Sequence, residues 1–154
     1  PLWSAVCEVH DKFNEAELLA ATQEVTNQGL SSVILAHPES PLPVLKKADY
    51  VGSTSGMLNY VKNFQGNNST VIFVATEDGI LYNMKMARPA LDIRQAPIYK
   101  GCQCNSCPYM KLNTVASVKR AQQGIGFEVD YLSEEIMNKA RVPIERMLNF
   151  KLKI

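Results

Sequence analysis

Apolar positions in the first two-thirds of the chain alternate between helix-like and strand-like spacing. Helical spacing begins after Asn14, a candidate N-cap, and ends before Gly29, which suits a left-handed helix terminus. Short β-branched runs predict strands, and turn residues separate them from the next helix. The predicted strands are 31–36, 49–52, 69–75 and 90–94, and the further predicted helices are 44–48, 53–64 and 78–87.

The alternation of strands and helices with short connections predicts the fold class. It is typical of an α/β protein, here a three-layer αβα domain with a parallel sheet. Beyond Cys107 the pattern becomes purely helical, with helices predicted at 109–123 and 133–150 and a break before Pro143. We therefore expect an α/β domain over residues 1–106, followed by a helical C-terminal segment over 107–154.

The composition argues against several classes of function. The chain has 154 residues, with 16 basic and 15 acidic side chains. This balance gives no electrostatic reason to expect a nucleic-acid or membrane partner. No apolar run approaches the ~20 residues of a membrane span, and no secretion signal opens the sequence. We expect a cytoplasmic protein and, because the first residue is Pro1 rather than Met, a piece of a longer one.

Polar clusters follow the first three predicted strands. In open parallel sheets, ligands bind beyond the carboxyl ends of the strands, so these clusters are expected to share one edge. Cys7 and His10 precede the first long helix and can reach the same edge. The clusters are His37–Ser40, Gly52–Ser55 and Thr76–Gly79.

Each cluster has a structural and a functional interpretation. His37 and Glu39 either cap the following turn or transfer protons. The sequence at 52–55 is a good helix N-cap, and the same geometry suits a bound phosphate or carboxylate. For Thr76 and Glu77 we favour the structural interpretation.

Three of the four cysteines lie within six positions, in "KGCQCNSCPYM". A structural zinc site needs four ligands, and the chain offers a single Cys-x-x-Cys pair, Cys104 and Cys107, with Cys102 beside it. An iron–sulfur cluster accepts irregular spacing, and one held by three thiolates leaves an iron open as a Lewis acid. Reduced surface thiols are the structural alternative.

Five motifs, in order, carry a family resemblance over nearly the whole chain. They are "CEVHDKF", "AHPESPLPVLKKADYVGSTSGMLNYV", "VATEDGILYNM", "CPYMKLNTV" and "ARVPIERML". Together they resemble the C-terminal half of quinolinate synthases. The resemblance implies the third of three similar α/β domains, and a helical segment that packs on a first domain preceding Pro1.

The resemblance also implies an activity. Quinolinate synthases condense iminoaspartate with dihydroxyacetone phosphate to quinolinate, on the route to NAD. They use a 4Fe–4S cluster held by three cysteines, one from each domain, whose fourth iron binds substrate. An aspartate oxidase or dehydrogenase is then expected as the upstream supplier of iminoaspartate.

Site residues follow from the resemblance by position. Cys7 and Cys107 match cluster ligands, and the third ligand belongs to the preceding domain. His10 matches a catalytic histidine. His37 and Glu39 match a pair that binds substrate and carries protons, and Ser53 and Thr54 match hydroxyls that hold its anionic groups.

Two positions depart from the family pattern. Many relatives have a cysteine where this chain has Ser40, so that position is not an essential ligand. Cys102 and Cys104 are not general to the family, and Cys104 with Cys107 forms a candidate redox pair.

Alone, the chain is expected to be inactive. Two alternatives stay open: a non-catalytic zinc or iron–sulfur module built on residues 102–107, and a Cys-x-x-Cys thiol redox protein.

Overall fold

A computed structural model of the protein describes residues 6–99, 105–127 and 131–150. The chain divides into two compact units, Pro1–Leu112 and Asn113–Ile154. The predicted boundary at 106 and the predicted packing of the C-terminal segment on a preceding domain stay predictions.

The first unit contains a four-stranded parallel sheet with strand order β2-β1-β3-β4. The order places the topological switch point between β1 and β3, where the chain moves from one side of the first strand to the other. Bounds of the strands are Ser31–Ala36 for β1, Tyr50–Val51 for β2, Thr70–Ala75 for β3 and Asp92–Gln95 for β4.

Five α-helices lie within the described residues of this unit. The predicted Asn14 cap is confirmed, because its side chain accepts a hydrogen bond from the Glu17 N–H at 3.1 Å. Gly29 has φ +75°, the left-handed conformation expected at the end of that helix. The helices are α1 (Glu8–Asp11), α2 (Glu15–Asn27), α3 (Leu42–Leu45), α4 (Thr54–Asn63) and α5 (Gly79–Ala87).

Helices cover both faces of the sheet, which confirms the predicted α/β class. Successive strand residues point to opposite faces, so β1 and β3 each contribute to two cores. Ile34 and Phe73 pack with residues of α2 and α3, whereas Leu35 and Ile72 pack with residues of α4 and α5. The strand β3 is buried along its whole length and is apolar beyond Thr70, because both of its faces are covered.

The N-terminal segment is attached to the chain that follows β4. Phe13 and Ile98 form an antiparallel bridge, and both are buried. The Tyr99 N–H also donates to the Lys12 carbonyl at 3.2 Å. These contacts hold α1, which the apolar pattern does not predict, beside the sheet.

Several element bounds differ from the sequence prediction. The turn predicted at 44–48 is α3 and begins earlier, where Pro43 suits a first helical turn. The helix predicted at 109–123 is instead a 3₁₀ turn at Met110–Leu112 followed by α6 (Val115–Gln122). Thr114 separates the two because its side chain caps α6, accepting from the Ser117 N–H at 3.1 Å.

The second unit contains α6 and α7 (Glu134–Leu148). The break predicted before Pro143 is wrong, since α7 continues through this proline. Strong helix formers on both sides, including Lys139 and Glu145, offset the hydrogen bond that proline cannot donate. Both helices carry exposed apolar side chains such as Val115 and Ile136.

None of the helices within the described ranges combines the length and apolarity needed to cross a bilayer.

Candidate functional site

The carboxyl edge of the sheet carries the three predicted polar clusters. The ladder extends one residue past the strands, because His37 N–H donates to the Ala75 carbonyl and Gly52 N–H to the Ala36 carbonyl, both at 3.1 Å. His37 and Thr76 therefore follow neighbouring strands on the two sides of the switch point. Ligands of open α/β sheets bind at this position.

His10 is held at this edge through both of its ring nitrogens. Its Nδ1 lies 2.9 Å from Glu39 Oε2, and its Nε2 lies 3.0 Å from Thr76 Oγ1. An ionised carboxylate only accepts, so Nδ1 carries the proton and Nε2 accepts from the threonine hydroxyl. The arrangement fixes the tautomer and the ring plane of a buried histidine.

His37 stacks on His10. The ring centroids are 4.0 Å apart and the planes differ by 6°. His37 Nδ1 accepts from the Glu39 N–H at 3.3 Å and lies 3.5 Å from Glu39 Oε2. Burial and then the neighbouring His10 lower the pKa of His37 below its usual 6.5, and the nearby Glu39 opposes them only in part. His37 is therefore neutral near pH 7 and can accept a proton.

Cys7 lies immediately before α1 and joins the same group of side chains. The Cys7 Sγ and single ligand atoms of His10 and Glu39 all lie within 4.8 Å of one another. Both cysteines of the described ranges are free thiols, and both line one cavity of about 400 Å³. The cavity is also lined by Val6, Glu8, Val9, Pro108 and Tyr109.

Two buried polar side chains hold the segment that carries Cys107. Asn105 is 1% exposed, and its amide donates to the Val9 carbonyl at 2.6 Å. The Cys107 N–H donates to Glu77 Oε1 at 3.3 Å. The loop is thus connected to α1 on one side and to the end of β3 on the other.

Glu77 is ionised in this position. Burial raises its pKa, whereas the hydrogen bonds from the Gly79 and Cys107 N–H groups lower it. Because these bonds and the Lys111 ammonium together outweigh the burial, the pKa of Glu77 lies below its usual value. Burial, and then the charge of Glu77, raises the pKa of the adjacent Asp78.

Ser53 and Thr54 begin α4 at the same edge. Ser53 is the N-cap, with its Oγ accepting from the Gly56 N–H at 3.2 Å. This bond uses a lone pair and leaves the hydroxyl proton free to donate. The structural interpretation of 52–55 as an N-cap is therefore confirmed, and an anion-binding role stays a prediction.

Three side chains organise the site in ways that the sequence does not predict. Thr76 and Glu77 were expected to be structural, but their contacts with His10 and with the Cys107 N–H were not predicted. The sequence analysis does not predict a role for Asn105, although an asparagine between the two cysteines of a Cys-x-x-Cys pair is a weak signal for a loop anchor. Cys102 and Cys104 lie outside the described residues, and so does the geometry of the Cys104–Cys107 redox pair.

Comparison with known proteins gives one family. The family model for quinolinate synthetase A protein matches residues 1–149. The quinolinate synthase of Prochlorococcus marinus (strain MIT 9303) is 38% identical over 152 residues, which cover 99% of this chain and 43% of the relative. That of Cyanophora paradoxa is 37% identical, covering 96% of this chain and 42% of the relative.

The enzyme of Synechocystis sp. is 39% identical, covering 96% of this chain and 44% of the relative. The chain thus spans less than half the length of these curated relatives. The match extends across both structural units and confirms the resemblance found in the motifs. The chain belongs to the quinolinate synthetase A protein family.

Proposed function

We propose that the chain is the C-terminal part of a quinolinate synthase, which condenses iminoaspartate with dihydroxyacetone phosphate. The observation that carries the proposal is the His10–Glu39 hydrogen bond of 2.9 Å beside the Cys7 thiol. It combines a proton-transfer pair with a metal-binding thiol at the edge where α/β sheets bind ligands.

The donor set fits two corners of a 4Fe–4S cluster. Cys7 and Cys107 are free thiols on one cavity, and soft thiolates are the ligands that iron–sulfur clusters prefer. The third thiolate would come from the length of the relatives that these 154 residues do not match. When bound, such a cluster supplies a Lewis-acidic iron.

Proton transfer falls to the histidines and Glu39. The condensation loses water and phosphate, so protons must leave carbon and nitrogen and reach oxygen. Neutral His37 can accept a proton, and the Glu39 carboxylate, whose Oε2 lies 3.5 Å from His37 Nδ1, would stabilise the imidazolium that forms. The Glu39 carboxylate keeps His10 in the tautomer that donates from Nδ1, and the Thr76 hydroxyl holds the other ring nitrogen.

Ser53 and Thr54 are assigned to the anionic groups of the substrate. Their hydroxyls and the first N–H groups of α4 lie at the positive end of a helix dipole. The iminoaspartate supplier would be an enzyme that oxidises or dehydrogenates aspartate. Alone, the chain would bind neither a complete cluster nor both substrates, so we expect it to be inactive.

The proposal is tested in the complete protein, expressed anaerobically and assayed for quinolinate. Wild-type protein should form quinolinate, and Glu39→Gln should reduce kcat by about 100-fold or more, because the general acid–base is lost. Ser40→Ala, at the neighbouring buried position, is the matched control and should keep activity. Absence of quinolinate formation from the wild-type, iron-loaded protein would contradict the proposal.

Two alternative functions rest on residues 102–107. Four irons with labile sulfide in the complete protein favour the synthase, about one zinc without iron favours a zinc module, and a reversible thiol couple without metal favours a redox protein.

A further inference from the structure

We propose that Cys7, His10 and Glu39 form a binding site for one divalent transition-metal ion of the zinc type, which is available whenever no cluster holds Cys7. The site goes beyond the proposed function, because it needs neither Cys107 nor a third cysteine. It rests on the three side chains alone.

The separations of the ligand atoms suit such an ion. They all lie within 4.8 Å of one another, and His10 Nδ1 lies 2.9 Å from Glu39 Oε2. Tetrahedral zinc with bonds of about 2.0–2.3 Å places its ligand atoms about 3.3–3.6 Å apart. The His10–Glu39 distance lies below this range and the upper limit of 4.8 Å lies above it, so rotamer adjustments of the partly exposed Cys7 and Glu39 side chains suffice.

The chemistry of the donors selects the metal. A thiolate, an imidazole and a carboxylate together favour zinc or cobalt over magnesium and calcium, which prefer oxygen ligands. Three protein ligands leave the fourth position to water. The Glu39 side chain is 57% exposed, so an ion can enter from solvent.

Thr76 supplies the support that a metal-bound histidine requires. When Nδ1 binds the ion, its proton moves to Nε2, and Nε2–H then donates to Thr76 Oγ1, which is 3.0 Å away. A hydroxyl both donates and accepts, so the contact survives the change of tautomer. The thiol of Cys7 loses its proton to solvent as the ion binds.

His37 keeps the ring of His10 in place without competing for the ion. The two rings stack at 4.0 Å, which restricts rotation of His10. The Nδ1 lone pair of His37 already accepts from the Glu39 N–H. His10 is therefore the imidazole that binds.

Cobalt titration of the metal-free, reduced 154-residue chain tests the site. Co²⁺ bound to a thiolate in a tetrahedral site gives a near-ultraviolet charge-transfer band and intense visible bands, and Zn²⁺ should displace it. We expect one Co²⁺ per chain. Cys7→Ser should lose the charge-transfer band, His10→Gln should lose tight binding, and Thr76→Val should weaken binding by about 10–100-fold.

The matched control replaces Cys102, Cys104 and Cys107 together by serine, which leaves Cys7 as the sole thiol. This triple variant should keep the charge-transfer band. Loss of the band in the triple variant with retention in Cys7→Ser would overturn the site and assign the ion to residues 102–107. If circular dichroism shows the triple variant unfolded, retention of the band in Cys7→Ser or of tight binding in His10→Gln overturns the proposal equally. Quinolinate assays of the complete protein do not bear on this titration, so the two proposals fail independently.

Discussion

The buried amide of Asn105 donates a hydrogen bond of 2.6 Å to the main-chain carbonyl of Val9. This bond joins the segment that carries Cys107 to the helix that follows Cys7. Cys7 and Cys107, which are 100 positions apart, line one cavity. The Asn105–Val9 hydrogen bond helps to bring them together, although it involves neither cysteine. Metal binding across this cavity should depend on the bond.

Asn105→Ala tests how much this bond stabilises the folded chain. The substitution leaves the Val9 carbonyl buried without its donor, which should lower the free energy of unfolding by about 1–3 kcal/mol. Urea unfolding of the 154-residue chain measures the loss. Asn59→Ala, on the exposed side of α4, should stay within about 0.5 kcal/mol of wild type. Equal stability of the two variants would show that Asn105 does not anchor the loop.

Two serine-to-alanine substitutions are expected to differ in their effect on the free energy of unfolding. Ser40 is buried, and its hydroxyl has no hydrogen-bond partner among the described residues, so Ser40→Ala should change stability by no more than about 0.5 kcal/mol. Ser53→Ala removes the N-cap of α4 and should cost about 1 kcal/mol. Thermal or urea unfolding measures both. Loss of the iron–sulfur cluster from the complete protein on Ser40→Ala would refute the ligand assignment.

Lowering the pH should reduce the free energy of unfolding through the range where His37 titrates. The pKa of His37 is lowered in the folded chain. As the pH falls, His37 of the unfolded chain is therefore protonated first, near its usual pKa of 6.5. The free energy of unfolding therefore decreases as the pH falls below about 6.5, and levels off below the folded-state pKa. His37→Gln should flatten this dependence between pH 7.5 and about 5. An unchanged slope in the variant would contradict the assignment.

The candidate redox pair gives a prediction for the complete apo protein. Oxidation of Cys104 with Cys107 removes a thiolate that the cluster needs. Titration against a thiol redox buffer should therefore abolish cluster reconstitution in wild type under oxidising conditions, whereas Cys104→Ser should retain it. Equal loss in both proteins would exclude the pair as a switch.

The sheet was predictable because β3 and the second half of β1 are buried on both faces and therefore consist mainly of apolar residues, many of them β-branched. The convergence of His37 and Thr76 at one edge followed from strand direction alone. The helix α1 was not predictable, because four residues carry no period, and its position depends on the Phe13–Ile98 bridge.

The residues that position the site could not be predicted from the sequence for a similar reason. Asn105 and Glu77 act through single long-range bonds, to Val9 and to the Cys107 N–H, and local patterns carry no record of such partners. Pro143 illustrates a different difficulty. Proline usually breaks a helix, yet α7 continues through it because helix-forming neighbours outweigh its effect.

The proposed function requires that Cys7 and Cys107 supply two thiolates to one iron–sulfur cluster. Iron and labile sulfide content of the complete protein, reconstituted anaerobically, tests it most directly. We predict about four irons and four sulfides per chain in wild type and in the Cys102→Ser/Cys104→Ser double variant, and nearly complete loss in Cys7→Ser and in Cys107→Ser. Retention of the full iron content in Cys107→Ser, with its loss in the double variant, would contradict this assignment of the cluster ligands.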